Sequence, residues 1–254
     1  MKRVLVIGVG AGGADLLTVQ AIEALKRADV IFTFDKGAEK DDLVQLRKEI
    51  CERYCDHKPY RLIEVPSPQR DPAAASYKAG VAVWHKARAD IVKALIRDEL
   101  SEKVCGAFLV WGDPAFYDST LRILEAIAAE SVERFEYEVI PGISSIQLLA
   151  ARHKIPLNAI GEPVLLTTGR KLAEAFPHGH DSIVVLLDNG AGLESLIGRD
   201  VEILWGAYLG TKDEVLIAGN VADVLDDILR VRRTRRAEKG WIMDTYLVRR
   251  RSGD

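Results

Sequence analysis

After Met1-Lys2-Arg3 the chain reads Val4-Leu5-Val6-Ile7-Gly8-Val9-Gly10-Ala11-Gly12-Gly13-Ala14-Asp15-Leu16-Leu17-Thr18. A β-branched apolar run that stops on glycines is a strand entering a turn. Gly8, Gly10 and Gly13 satisfy G-x-G-x-x-G, and Asp35 closes the next apolar run 22 residues past Gly13. That spacing fits a dinucleotide fingerprint, in which the acid meets a ribose hydroxyl. The same glycines also suit a plain tight turn. The residues just after the glycines bear on the choice. A dinucleotide turn packs its last glycine inside the next helix, whereas here the best cap is Thr18, ahead of Val19, Ile22 and Leu25 on one helical face. Gly8–Leu17 then becomes a longer loop; a helix starting near Ala14 is the other reading.

Outward from this loop, strand and helix alternate. Val30–Phe34 is a second apolar run. Asp41–Tyr54 is an amphipathic helix with Leu43, Leu46, Ile50 and Tyr54 in phase, and Tyr60–Val65 a short strand. Pro66-Ser67-Pro68-Gln69-Arg70-Asp71-Pro72 is a loop, because its prolines exclude regular structure. Ala73–Leu100 holds a long helix, Gly106–Trp111 a strand, Asp118–Glu130 a helix and Phe135–Ile140 a strand. Such alternation predicts an α/β domain with a largely parallel sheet, whose ligands lie outside the carboxyl ends of the strands. The second half differs: Val164–Thr168, Ser182–Leu187, Val201–Leu204 and Ile242–Val248 read as strands, with helices near Ala191–Ile197 and Val221–Arg230. The boundary falls between Gly142 and Asn158, drawn here as residues 1–143 and 144–254.

Composition limits the class. With 254 residues, 48% hydrophobic, 29% charged and a net charge of −3, the chain is neither disordered nor a disulfide-dependent mini-protein. No apolar run approaches the roughly 18–20 residues of a membrane helix, and Met1–Ile7 lacks the apolar core of a signal peptide, so no membrane partner is expected. Cys51, Cys55 and Cys105 cannot all pair, which fits a reduced, cytoplasmic compartment. The net charge offers no broad attraction to nucleic acid. Arg230, Arg232, Arg233, Arg235 and Arg236 crowd one stretch, and Arg249, Arg250 and Arg251 lie near the end; a solvated helix end and tail is favoured over an anion patch. Cys51 and Cys55, four apart with His57 nearby, lack a clear fourth ligand and read as packing, so no metal is expected.

Two further loops come after strands. Gly112-Asp113-Pro114 lets backbone approach a ligand closely, or makes an ordinary turn. In Pro141-Gly142-Ile143-Ser144-Ser145, Ser144 and Gln147 form a capping box that starts a helix, so free amides and hydroxyls face the strand ends.

These stretches resemble the tetrapyrrole methylases. Val4–Gly12 with Leu16-Leu17-Thr18 and Ala28-Asp29-Val30 is similar to that family's opening block, Gly112-Asp113-Pro114 to its second, and Tyr137–Ser145 with Ile155-Pro156-Leu157 to its third. Within the family, Phe34-Asp35-Lys36-Gly37, Glu39-Lys40, Asp42-Leu43-Val44, Leu46–Tyr54, Tyr60-Arg61, Arg70-Asp71 and Trp84-His85 resemble a corrin-pathway member that also removes an acetyl group. Ala11 and Gly13 stand where many relatives have proline and aspartate, and Trp111 where many have glycine. The resemblance implies two α/β domains, a largely parallel N-terminal sheet and a mixed C-terminal one, with the active site in the cleft between them. It implies a homodimer, S-adenosyl-L-methionine as methyl donor, S-adenosyl-L-homocysteine as product, and methylation of precorrin-5 at C-1 with loss of acetate. The family's donor-binding positions map to Gly10, Ala11, Gly112, Asp113, Ser144 and Ser145, with Leu187 and Ala207 matching in the second domain.

Methyl transfer from a sulfonium needs positioning and exclusion of water, not a strong base. Acetate release is different: water must attack a carbonyl, which favours a general base and a polarising donor. Asp35 and His85 are the favoured catalytic candidates, with Arg70 and Tyr77 also on that side. A polycarboxylate acceptor calls for cations, and Lys36, Arg61 and Arg70, with Tyr77, are the substrate candidates. The rival readings are another methylase of this fold, acting at a different precorrin position or on a macromolecule such as ribosomal RNA or the diphthamide precursor; a nicotinamide-dependent oxidoreductase using Gly8, Gly10, Gly13 and Asp35; and a non-catalytic binding module.

Overall fold

A computed structural model describes residues 1–35, 41–55, 58–68, 77–130 and 134–250, with side chains described except at 35, 41–44 and 77–79. The chain forms two compact units, Met1–Ser144 and Ser145–Asp254.

In the first unit, β1 (Lys2–Gly8), α1 (Val19–Arg27), β2 (Val30–Asp35), α2 (Asp41–Tyr54), β3 (Arg61–Pro66), α3 (Tyr77–Glu99), β4 (Cys105–Val110), α4 (Thr120–Ala129) and β5 (Phe135–Ile140) alternate. The sheet is ordered β3-β2-β4-β1-β5 and is parallel throughout. Successive side chains of a strand point to opposite faces, and the core divides accordingly. Leu5 and Ile7 of β1, with Ala107 and Leu109 of β4, meet Ala21, Ala24 and Leu25 of α1 and Ile50 and Cys51 of α2. Val4, Val6, Phe108 and Val110 face the other way, onto Val92 and Ile96 of α3 and Ile123, Leu124 and Ile127 of α4. The helices after β1 and β4 therefore leave to opposite faces of neighbouring strands. That is a topological switch point, and it opens a crevice at the carboxyl ends of β1 and β4.

The loop after β1 settles how its glycines are used. Gly13 precedes a 3-10 turn, Ala14–Leu16, and α1 starts only at Val19, with the Thr18 side chain accepting from the Ala21 amide. No glycine of the loop packs inside a helix, so the dinucleotide arrangement is overturned. The expected helix start at Ala73 and the Arg70 loop lie outside the described residues, as do His57 and Arg251. Cys51, Cys55 and Cys105 are thiols buried in the core and form no disulfide. The hydrogen bond that the Cys51 thiol makes to Cys55, together with burial, pushes that thiol far above its ordinary range.

The second unit holds α5 (Ser145–His153), β6 (Val164–Thr168), α6 (Gly169–Glu174), β7 (Ser182–Leu186), α7 (Ala191–Glu194), β8 (Val201–Ala207), β9 (Val215–Asn220), α8 (Val221–Lys239) and β10 (Asp244–Arg250). The sheet order is β6-β7-β10-β8-β9; β6 and β7 are parallel and the other pairs antiparallel. β9 and α6 go beyond the sequence reading, and α8 continues past Arg230 to Lys239. Its buried stripe is Val221, Leu225, Ile228 and Arg232. An arginine thus occupies the fourth apolar position, which corrects the expectation that the whole arginine cluster is solvated. Arg230, Arg233 and Arg236 are exposed. Among the described residues no helix is long and apolar enough to cross a membrane, and no His/Cys/Asp/Glu cluster is arranged for a metal.

Candidate active site

Three glycine-bearing loops leave the adjacent strands β4, β1 and β5, and backbone stitches them together. The Val9 amide donates to Val110 O at 2.9 Å, Gly112 N to Gly10 O at 2.8 Å and Gly10 N to Gly112 O at 3.2 Å. A Cβ on Gly142 would sit 2.1 Å from Gly112 O, and one on Gly8 would sit 2.6 Å from Gly142 N. These glycines are needed because main chain crosses main chain. Asp113 completes the join: its Oδ2 accepts from the Gly142 amide at 2.9 Å and its Oδ1 from Ala115 at 2.8 Å. Its carboxylate holds loop to loop instead of capping a helix.

Gly10 and Gly112 differ from Gly8 and Gly142. Both have left-handed φ, +82° and +69°. A Cβ on Gly112 would meet only Ser144 Cα, at 3.8 Å. Open space over a glycine at a switch point is what a ligand approaching main chain requires. Ala11 and Ser144 are buried, and Ser145, the first residue of α5, accepts from the Thr245 hydroxyl at 2.9 Å.

The candidates for acetate release and substrate binding separate. Asp35 is the last residue of β2, in register with Pro66, at the carboxyl end; its side chain, like that of Tyr77 at the start of α3, is outside the described set, and Lys36 and Arg70 are wholly so. His85 lies on α3 against Trp84, ring centroids 5.3 Å apart, and Trp84 Nε1 donates to Pro68 O at 2.7 Å. Three residues on, the Arg88 guanidinium covers the Phe34 ring at 3.9 Å. This stretch of α3 is therefore level with the end of β2. Arg61 is a correction. It opens β3, its amide bonds to Asp29 O, and its guanidinium is paired with Glu99 at 2.7 Å. In a parallel sheet that is the amino end, about 17 Å along the strand from the glycine loops, so Arg61 does not serve this site.

Sequence reasoning missed two arginines here. Arg47 of α2 and Arg88 of α3 are both buried. Burial first, and then the Arg88 charge, pulls the Arg47 guanidinium below its usual range, with Asp118 opposing. The available signal was phase: Arg88 precedes the buried Val92, Ile96 and Leu100 by successive steps of four.

In the second unit β7 and β8 both run antiparallel to β10, so their carboxyl ends share one side of the sheet with the start of β10. Leu187 comes after β7 with φ +52° and is 64% exposed. Tyr208 comes after Ala207 with φ +50°, its hydroxyl donating to Trp241 O at 2.6 Å. Left-handed conformations cost non-glycine residues about 1–2 kcal/mol each and persist where the surroundings enforce them. Ala207 is fully buried. Beneath Leu187, Asp188 Oδ1 accepts from Gly190 and Gly192 at 2.9 and 3.0 Å, and Oδ2 from Leu193 and the Tyr246 hydroxyl at 2.9 and 2.8 Å.

A parallel sheet with a glycine cradle at its switch point, succeeded by a mixed sheet with strained strand-end residues, defines a class. Residues 3–225 match the tetrapyrrole (corrin/porphyrin) methylases, and the chain belongs to that family. Among its relatives, precorrin-6A synthase (deacetylating) of Sinorhizobium sp is 49% identical over 250 residues, covering 98% of this chain and 96% of the relative. Precorrin-2 C(20)-methyltransferase of Sinorhizobium sp is 31% identical over 178 residues, 68% of this chain and 66% of that one. The crystal structure of a cobalamin-synthesis-related protein (CobF) from Corynebacterium diphtheriae matches with a TM-score of 0.83 and 36% identity, covering 99% of this chain and all (100%) of that chain. The cobalt precorrin-4 methyltransferase CbiF shares the fold, with a TM-score of 0.62 at 19% identity over 97% of this chain and 94% of its own.

Proposed function

We propose that the chain is an S-adenosyl-L-methionine-dependent C-methyltransferase of cobalamin biosynthesis, methylating precorrin-5 at C-1 and releasing acetate to give precorrin-6A. The observation that carries this is the near-full-length identity to a deacetylating precorrin-6A synthase, and the cradle between Gly10 and Gly112 is consistent with it. Gly10, Ala11 and Gly112 would offer main chain to the donor, with Asp113 keeping their loops joined. Ser144, Ser145, Leu187 and Ala207 are the further donor positions.

In the methyl step the sulfur–methyl bond breaks as the bond to C-1 forms, and the sulfonium leaves as neutral S-adenosyl-L-homocysteine. The protein contributes alignment and a dry environment. In the second step water attacks the acetyl carbonyl, the carbon–carbon bond to the ring breaks with its electron pair moving into the ring, and acetate departs. Asp35 and His85 are the proposed proton acceptor and its partner, with Tyr77 polarising and Lys36 and Arg70 meeting substrate carboxylates. The active form is proposed to be a cytoplasmic homodimer. Tyr137 and Val139, exposed on the edge strand β5, supply apolar surface compatible with a second copy.

The test uses anaerobic precorrin-5 and methyl-labelled S-adenosyl-L-methionine, following label in the tetrapyrrole together with free acetate. Both are expected. Label without acetate would keep the methyltransferase and remove the deacetylating assignment. If Asp35→Asn and His85→Ala both retain full acetate release, those two residues are not its catalysts.

A further inference from the structure

Arg232 connects two places that the sequence gives no reason to connect. Its Nη2 donates to Asp188 O and its Nη1 to Asn189 O at 3.1 Å, the two carbonyls directly after Leu187. Its Nε donates to Asp244 Oδ2 at 2.9 Å. Asp244 opens β10 and is the ladder partner of Ala207, and the same Oδ2 accepts from Trp205 Nε1 at 3.0 Å. Both members of the ion pair are buried. Glycine at position 190 belongs to the same arrangement: its φ is +114°, and a Cβ there would lie 3.1 Å from Arg232 Nη1.

We propose that Arg232 is a positioning residue for the methyl-donor site, holding the Leu187 turn and the Ala207–Asp244 strand ends in fixed relation through one buried guanidinium. This rests on the reading of Leu187 and Ala207 as donor positions. A purely stabilising ion pair needs only Nε and Asp244. Here the other two nitrogens are spent on main-chain carbonyls of the turn that carries the exposed, left-handed Leu187. A planar guanidinium reaches three acceptors in different directions, which a lysine ammonium cannot reproduce with the same geometry.

Stability and positioning therefore separate in the right variants. Arg232→Lys keeps a charge for Asp244 and loses the fork; Arg232→Met loses both. Arg233→Lys, on the exposed face of the same helix, is the control. Calorimetry with S-adenosyl-L-homocysteine and thermal melting are run on the full chain. The expected result is that Arg232→Lys melts nearer to wild type than Arg232→Met does, yet both bind the ligand weaker by about tenfold or more, the scale of losing charge-assisted hydrogen bonds. Amide exchange at Asn189–Leu193 should quicken in both, and Arg233→Lys should match wild type throughout. Ligand affinity in Arg232→Lys within about twofold of wild type overturns the inference and leaves a structural ion pair. Should Arg232→Lys fail to fold, Asp244→Asn carries the test, since its amide oxygen can still accept from Trp205 while the Nε contact loses its charge. A threefold or greater loss of affinity, as expected of a weakened charged contact, supports the inference, and unchanged affinity overturns it. Failure of the wild-type chain to bind the ligand at all would be a different result, removing the donor reading and this inference with it.

Discussion

The carboxyl ends of the two sheets are built by opposite means. In the first unit the loops after β4, β1 and β5 are held by main chain meeting main chain, with side chains removed wherever backbone must cross. Gly8, Gly112 and Gly142 are mutually in contact, and Asp113 is the one carboxylate in the join. In the second unit the strand ends are held by side chains of high desolvation cost: Asp188, Arg232 and Asp244 are all buried, and both Asp188 oxygens, all three Arg232 nitrogens and Asp244 Oδ2 are hydrogen-bonded. The first solution is rigid because there is no room. The second is rigid because a buried charge without its partners costs several kcal/mol. Neither leaves room for an added atom, since a Cβ on Gly169 would lie 2.1 Å from Asp188 Oδ1, but only the charge network also forbids the loss of a partner.

The largest expected effect tests the first half of that contrast. Gly142→Ala places a methyl 2.1 Å from Gly112 O and 2.8 Å from the Gly8 carbonyl carbon, all main chain. It should cost more than about 4 kcal/mol and abolish binding of S-adenosyl-L-homocysteine, as measured by denaturant unfolding and calorimetry. Gly112→Ala, with open space beside it, should cost only the left-handed strain of about 1–2 kcal/mol. Its methyl should still lower ligand affinity, because it occupies the space over the cradle. Equal destabilisation by the two substitutions would show that crowding does not distinguish them.

Asp188→Ala tests the other half. It strands three buried amides and the Tyr246 hydroxyl, and should cost about 3–5 kcal/mol. Loss should be localised: amides of β7, α7 and β10 should exchange faster while those of β1 and β4 keep their protection. Uniform acceleration in both sheets would mean that the two units do not hold their strand ends independently.

The same contrast explains what could be read in advance. Glycines that end apolar runs are local signals, and the parallel sheet, the three loops and Thr18 as the cap of α1 all come from spacing within a few residues. The second unit is harder to read because its network joins residues far apart, Arg232 to Asp188 across 44 positions and Tyr246 to Asp188 across 58. An arginine among five in seven positions looks solvated. Only its phase with Val221, Leu225 and Ile228 marks it as buried. Arg88 carried the same sign ahead of Val92 and Ile96. Arg61 was misplaced for another reason: a strand's sequence shows that it is a strand, but which end faces the ligand emerges only when its first residue is distinguished from its last. Asp35 was legible as far as its place at the carboxyl end of β2, which is a matter of backbone register.

The smallest effect concerns the end of the first sheet that the glycine loops do not occupy. Asp29 precedes β2 at the amino end, where Oδ2 accepts from the Cys105 amide and Oδ1 from Lys58, both at 2.8 Å. Partial burial pushes its carboxyl up, but the Cys105 amide and the Lys58 ammonium outweigh that and hold it below its ordinary value of 3.8. A carboxylate whose folded value is depressed contributes stability above its unfolded value, and the contribution is lost as pH falls through the folded one. Asp29→Asn should therefore be less stable than wild type at pH 7 by about 1 kcal/mol or less, since the pair is screened by solvent. That gap should close as the pH drops below about 4. Ligand affinity should not change, because the substitution lies at the far end of every strand from the cradle. A gap undiminished at pH 3 relative to pH 7 would assign the effect to packing. An affinity loss comparable to that of Gly112→Ala would mean that strain passes along β4 from Cys105 to the Gly112 turn, and the amino and carboxyl ends of this sheet would then have to be treated as one device.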